Sequence, residues 1–237
     1  MKGASALAGA VAATALIAGS SVAAGVVVTT QDDRGRTITI DAPTRSTEIG
    51  EYARILRNSL HGDEIESVTL RVVPEDAVTR LCRSQRAKAC YRGGEDATII
   101  VRAGSAAADA YTILHEYGHH VDATIRHRRA PEFNGTPRWW GTRAIGIRLD
   151  RDQVSTGYSL GWARSIGEIF AEDYAQLHVR DPYGIGWLPR PDEPVFRAIR
   201  LDVTGKATGP PPRAAGADLS RSDGNGSVVP RRFRGSR

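Results

Sequence analysis

Cysteine, methionine and lysine are all scarce in this chain, and each scarcity removes a class of reading. Only two of the 237 residues are cysteine and one is methionine. Cys82 and Cys90 have no further Cys or His near them to complete a tetrahedral metal set. In an exported chain two such close cysteines read as one short-loop disulfide. With Met1 the sole methionine, any motif built on an internal methionine is excluded. Lysine occurs only as Lys2, Lys88 and Lys206, so arginine carries nearly all of the positive charge. The net charge is +5, and no basic helix interleaved with aromatics occurs, so nucleic acid is not an expected partner.

Charge of either sign is missing from Gly3 to Thr30, directly behind Met1 and Lys2. A basic start followed by an apolar run reads as a secretory leader, and Val22-Ala23-Ala24 offers a cleavage site before Gly25. The run is also long enough to span a bilayer, so an uncleaved anchor competes. Its weak hydrophobicity favours cleavage, and a membrane is a partner only if the segment stays. From about Thr204 the composition turns to Gly, Pro, Ser and Arg, which cannot supply a packed core. The expected division is therefore a leader or anchor over 1–30, one folded domain over 31–204 and a disordered tail over 205–237.

Within the domain, 31–36 is polar and reads as linker, and 37–40 alternates as a short strand. Ser46 precedes a helix over 48–56, a strand over 68–73 stops at Pro74, and 75–81 forms a short helix. Residues 96–102 are the clearest strand, rich in β-branched side chains between glycines. That strand is either plain core or a sheet edge where an extended peptide adds as a further strand. Residues 126–151 lack periodicity and read as a long ordered loop. In it Trp139 and Trp140 either plug the core or line a cleft. Helices follow over 168–178 and from Glu193 onward.

The chain is organised around residues 110–122. Ala110, Leu114, Tyr117 and Val121 recur at helical spacing and form an apolar face. His115 and His119, four residues apart, project together from another face, where two imidazoles can hold one divalent metal, usually zinc. Glu116 lies about a quarter-turn away, placed to accept a proton from water. Gly118 leaves room above the helix. A catalytic zinc needs a third protein ligand. The position six beyond His119 is Ile125, and Asp122 is too close along the same helix to converge easily. Glu168 and Glu172, one turn apart on the later helix, are the remaining carboxylates. Ser165 followed by Glu168 also fits a capping box, and the residues alone leave both roles open for Glu168.

The segments His115-Glu116-Tyr117-Gly118-His119 and Glu168-Ile169-Phe170-Ala171-Glu172 together resemble the zincin metallopeptidases. They are closest in kind to the gluzincin-like group that includes the anthrax lethal factor catalytic domain. The metzincin branch is excluded by Ile125 and by the missing internal methionine. The resemblance implies an α+β, zincin-like domain with a small mixed sheet packed on the His-Glu helix and the following glutamate helix. It implies that His115, His119 and Glu168 bind Zn2+, with Glu172 orienting a ligand histidine from behind. Glu116 is then the general base, and Tyr158, upstream of the glutamate helix, is placed to stabilise an oxyanion. His120 is turned away by its helical phase, while His61, His127 and His178 read as surface or structural. The expected function is an exported zinc endopeptidase acting on protein or peptide. The alternative is a catalytically silent metal-binding or interaction domain, against which an intact Glu116 argues.

Overall fold

The structure is a computed structural model that describes residues 25–43, 47–125 and 134–206. The expected leader or anchor with Val22-Ala23-Ala24, Ser46, His127 and the Gly/Pro/Arg-rich residues beyond 206 lie outside the described residues. The described chain is a mixed α+β unit with a five-stranded sheet in the order β1-β2-β3-β5-β4. The strands are β1 (Val26–Gln31), β2 (Thr37–Ala42), β3 (Thr69–Val73), β4 (Ala89–Arg92) and β5 (Thr98–Arg102). β2, β3 and β5 run parallel, and an antiparallel strand closes each edge. The helices are α1 (Thr47–Arg57), α2 (Glu75–Cys82), α3 (Ala110–Thr124), α4 (Pro137–Thr142), α5 (Ile145–Asp150), α6 (Ile166–His178) and α7 (Glu193–Thr204).

Alternation along the strands explains the layers. Ile38, Ile40, Leu70, Val72, Ile99 and Val101 point to one face and join the main core with α1, α3 and α6. Val73 and Ile100 point the other way and meet Ala77 and Val78 of α2 in a smaller cluster. β5 is thus covered on both faces, which is why its middle reads as an unbroken apolar run. Cys82 and Cys90 form a disulfide that ties the end of α2 to β4.

Three expectations need correction, and two open alternatives are decided. Residues 31–36 are no linker: they finish β1 and turn the β1–β2 hairpin. Asp32 Oδ1 accepts the Arg34 and Arg36 N–H groups, both at 2.8 Å, and Asp32 Oδ2 meets His61 Nε2 at 2.9 Å. The domain start at 31 accordingly falls at the end of the first strand, because the β-branched run 26–30 continues the uncharged stretch that precedes it. β5 is internal, and the edge beside α3 is β4, too short to show a pattern of its own. The stretch 126–151 contains α4 and α5, whose six residues each span under two turns and leave no readable period. Trp139 does not line a cleft. It is fully buried, stacks edge-on against Phe170 at 5.1 Å and donates from Nε1 to Asp173 Oδ2 at 2.8 Å.

His61 and His178 are structural, as read. His178 Nε2 accepts the Leu60 N–H at 3.3 Å, and burial, aided by the nearby His61, pulls its pKa down to about 3. A histidine depressed in the folded state binds its proton only when the chain unfolds. Stability is therefore lost as pH falls from about 6.5 toward 3, at about 1.4 kcal/mol per pH unit. Between pH 6.5 and 5 the wild type should lose about 2 kcal/mol more than His178→Gln, read from denaturant midpoints. Equal losses would show that His178 is not held neutral.

Candidate metal centre

α3 and α6 build the site between them. Their close approach rests on Gly118, where a Cβ would stand 2.9 Å from Ala171 Cα and 3.1 Å from Tyr174 Cβ. Any larger residue there forces the helices apart, so the space noted above Gly118 is filled by α6. α6 is buried along nearly its whole length, yet it carries Glu168, Glu172 and Asp173. Buried carboxylates persist only when paired. Asp173 is gripped by Arg143 at 2.6 Å, with Trp139 and Tyr183 donating as well. The other two turn toward α3.

Glu168 Oε2 lies 3.1 Å from His115 Nε2 and 3.5 Å from His119 Nε2. One ligand atom from each of the three residues falls within 4.8 Å of both others. Ligand atoms around one tetrahedral zinc, each at about 2.0–2.2 Å, stand roughly 3.3–3.6 Å apart. The group therefore fits a single small cation, and it can hold a metal ion. The side chains of His115 and Glu168 are 12% and 6% exposed, so the charge they share is poorly solvated.

The second ring nitrogen of His115 is held from behind. Nδ1 stands 3.3 Å from Glu172 Oε2, while Glu172 Oε1 accepts the Gly184 N–H at 2.5 Å. An Nδ1–H donated to Glu172 leaves Nε2 as a lone pair facing the other ligands. Without a metal, two carboxylates face one imidazole. Burial opposes a charge on His115, but Glu168 and Glu172 outweigh it and push the pKa up to about 10. Burial likewise works against an ionised Glu168, and the two histidines hold it well below the usual carboxylate range. The donor set demands positive charge at its centre, as a proton or as a metal.

Ser165 heads α6 but makes no side-chain cap bond. The Glu168 carboxylate is committed instead to the histidines and to Tyr158, whose hydroxyl donates to Oε1 at 2.6 Å. The capping-box reading is thereby displaced. Tyr158 is 66% exposed, and desolvation of its hydroxyl with the adjoining carboxylate raises its pKa, which keeps it a donor. Glu116 sits half-buried on the same side, where its charge acts on both His115 and Tyr158. A cavity of about 220 Å³ opens here, lined by His119, Glu168, Tyr158 and Tyr91 of β4 among others.

The remaining candidates fall outside the cluster. His120 points away: it is buried against Tyr91 and Tyr117, with Nε2 2.8 Å from the Glu64 carbonyl oxygen. Asp122 borders the cavity but accepts the Gly135 N–H, anchoring the chain before α4. Sequence reasoning missed Trp162, whose indole lies nearly parallel to the His115 ring, 6.2 Å away at 23°. Its position just ahead of the glutamate helix was the available signal. No protein-family model matches this chain, and neither does any curated protein or solved structure.

Proposed function

We propose that this chain is an exported, zinc-dependent endopeptidase with a zincin-like catalytic domain. The observation that carries the reading is the convergence of Glu168 with His115 and His119, with Glu116 the next residue to His115 on the same helix. Two imidazoles and one carboxylate are a donor set suited to zinc, with a position left for water or substrate. Bound there, zinc supplies Lewis acidity toward water and toward a peptide carbonyl. Glu116 accepts the proton from the attacking water on a carboxylate oxygen and returns it to the leaving amine nitrogen. Tyr158 exchanges its hydrogen bond to Glu168 for one to the developing oxyanion. Glu172 keeps His115 in the tautomer that presents Nε2.

The substrate is an extended segment of protein. β4 packs against α3, contributes Tyr91 to the cavity, and pairs on one side only among the described residues. That edge offers backbone groups to a peptide added as a further strand. Export is supported by the basic-apolar start and by the Cys82–Cys90 disulfide. No helix of the described residues is long and apolar enough to cross a membrane. Cleavage before Gly25 leaves β1 whole, since it begins at Val26.

The test is hydrolysis of unfolded casein by the purified chain, with and without a metal chelator. Cleavage that stops with chelator and returns with zinc is expected. Inertness of the zinc-loaded chain toward casein and peptide pools would favour a silent metal-binding domain instead.

A further inference from the structure

The loop that joins α2 to β4 gathers positive charge. From Ala77 to Gly94 the chain carries Arg80, Arg83, Arg86, Lys88 and Arg92 and no acidic residue. All five are exposed, and among the described residues none of their side chains makes a hydrogen bond or an ion pair. Like charges gathered this way repel one another, and a negative partner relieves the repulsion.

The loop is built, not loose. Arg83 stands in the left-handed region at φ 53°, and its N–H closes α2 on the Thr79 carbonyl. The Ser84 N–H reaches the same carbonyl at 3.2 Å, the Ala87 N–H bonds the Ser84 carbonyl at 3.3 Å, and the Cys82–Cys90 disulfide closes the loop. Beyond it β4 pairs with β5 alone among the described residues, so its outer edge offers unpaired backbone groups. Alternation divides the strand between two faces. Ala89 and Tyr91 join the main core beside α3, while Cys90 joins the cluster under α2, the side that Arg92 shares. Tyr91 also lines the cavity at the metal group. The basic rim and the candidate site therefore meet on one four-residue strand.

We infer that the β4 edge and its basic rim dock an extended, acidic segment of the protein to be cleaved. The inference rests on the peptidase reading for what happens to that segment, and it adds the charge class recognised. A strand laid on β4 alternates between two faces, one toward the metal group and one toward the side that Arg92 shares. Acidic residues at every second position therefore meet the rim, while those between them face the site. The same charge repels the β4 edge of a second copy and admits an acidic strand. A nucleic acid or an anionic membrane would meet the charge but leave the strand edge unused. Tyr91, the sole aromatic residue from 77 to 94, is packed against His120 rather than offered for base stacking.

Blocked decapeptides that alternate Ala with Glu, Gln or Lys test it, bound to the full Glu116→Gln chain with zinc supplied. At low salt the Glu peptide should bind at least about tenfold more tightly than the Gln peptide, and the Lys peptide least of all. Salt at about 1 M, where the screening length is about 3 Å, should erase the difference. Adding Arg86→Gln, Lys88→Gln and Arg92→Gln should bring the ratio near unity. Zinc content and thermal unfolding should hold, since the three side chains are exposed and unpaired. A ratio near unity before those changes, or one that survives them, overturns the dock. A Glu peptide methylated on alternate amide nitrogens keeps its charge and loses strand pairing, so it should bind weakly. Undiminished binding would show a general anion face, of the kind a nucleic acid or membrane meets, and overturn the strand dock. Cleavage is read on the wild type. Cleavage of none of the peptides while the binding ratio holds overturns hydrolysis and leaves the dock standing. Equal cleavage of the Glu and Lys peptides overturns the dock and leaves hydrolysis.

Discussion

Glu116→Gln should keep its fold and its zinc while losing about 10²–10⁴-fold in kcat, the range a general base contributes. The substitution preserves shape and removes only the capacity to hold a proton. Glu116 is half-buried and is not one of the three clustered residues, so the set of His115, His119 and Glu168 stays whole without its charge. Its charge acts on both His115 and Tyr158, which the proposed general base requires. KM should change far less than kcat, because the lost interaction belongs to proton transfer. Steady-state kinetics with zinc content measured on the same sample decide it. Turnover near that of the wild type would remove Glu116 from the mechanism.

The parts of the site that were legible in the sequence were those fixed by local geometry. An i, i+4 pair on a helix must share a face, so His115 and His119 followed from spacing alone, as did the turn of His120 away from them. The loop between Cys82 and Cys90 is short enough to force proximity, and the disulfide forms as expected. Glu168 was different. Its local context fitted a capping box as well as a ligand, and only the packing of α6 across Gly118 separates the two. The orientation of Glu172 behind His115 followed from a resemblance, and the structure supplies the distance.

What stayed hidden depends on contacts distant in sequence. β4 has four residues and is a strand because β5 pairs with it. Residues 31–36 look like linker because polar residues are also what a tight hairpin turn uses, and Asp32 closes that turn with its own side chain. The paired tryptophans fitted core or cleft, and Trp139 is core, held by a buried carboxylate that no periodicity announces. Trp162, the tryptophan at the metal group, stands in a three-residue turn with no pattern around it.

Loss of the third ligand should have the second large effect. Partners that merely orient a ligand histidine are worth about 10–100-fold in metal affinity, so a direct ligand should exceed that. Glu168→Ala leaves His115 and His119 with a two-residue grip, and it also frees the Tyr158 hydroxyl. Its zinc affinity should fall more than about 10²-fold, with the helix kept by the burial of Ile166, Ile169 and Phe170. Ser165→Ala is the control, since that hydroxyl makes no cap bond and its loss should leave zinc untouched. The direct measurement is zinc per chain after dialysis against a weak competing chelator, taken on wild type, Glu168→Ala and Ser165→Ala together. One zinc in the wild type and the serine variant, with little or none in Glu168→Ala, is the predicted result. Full occupancy in Glu168→Ala would contradict the three-residue centre.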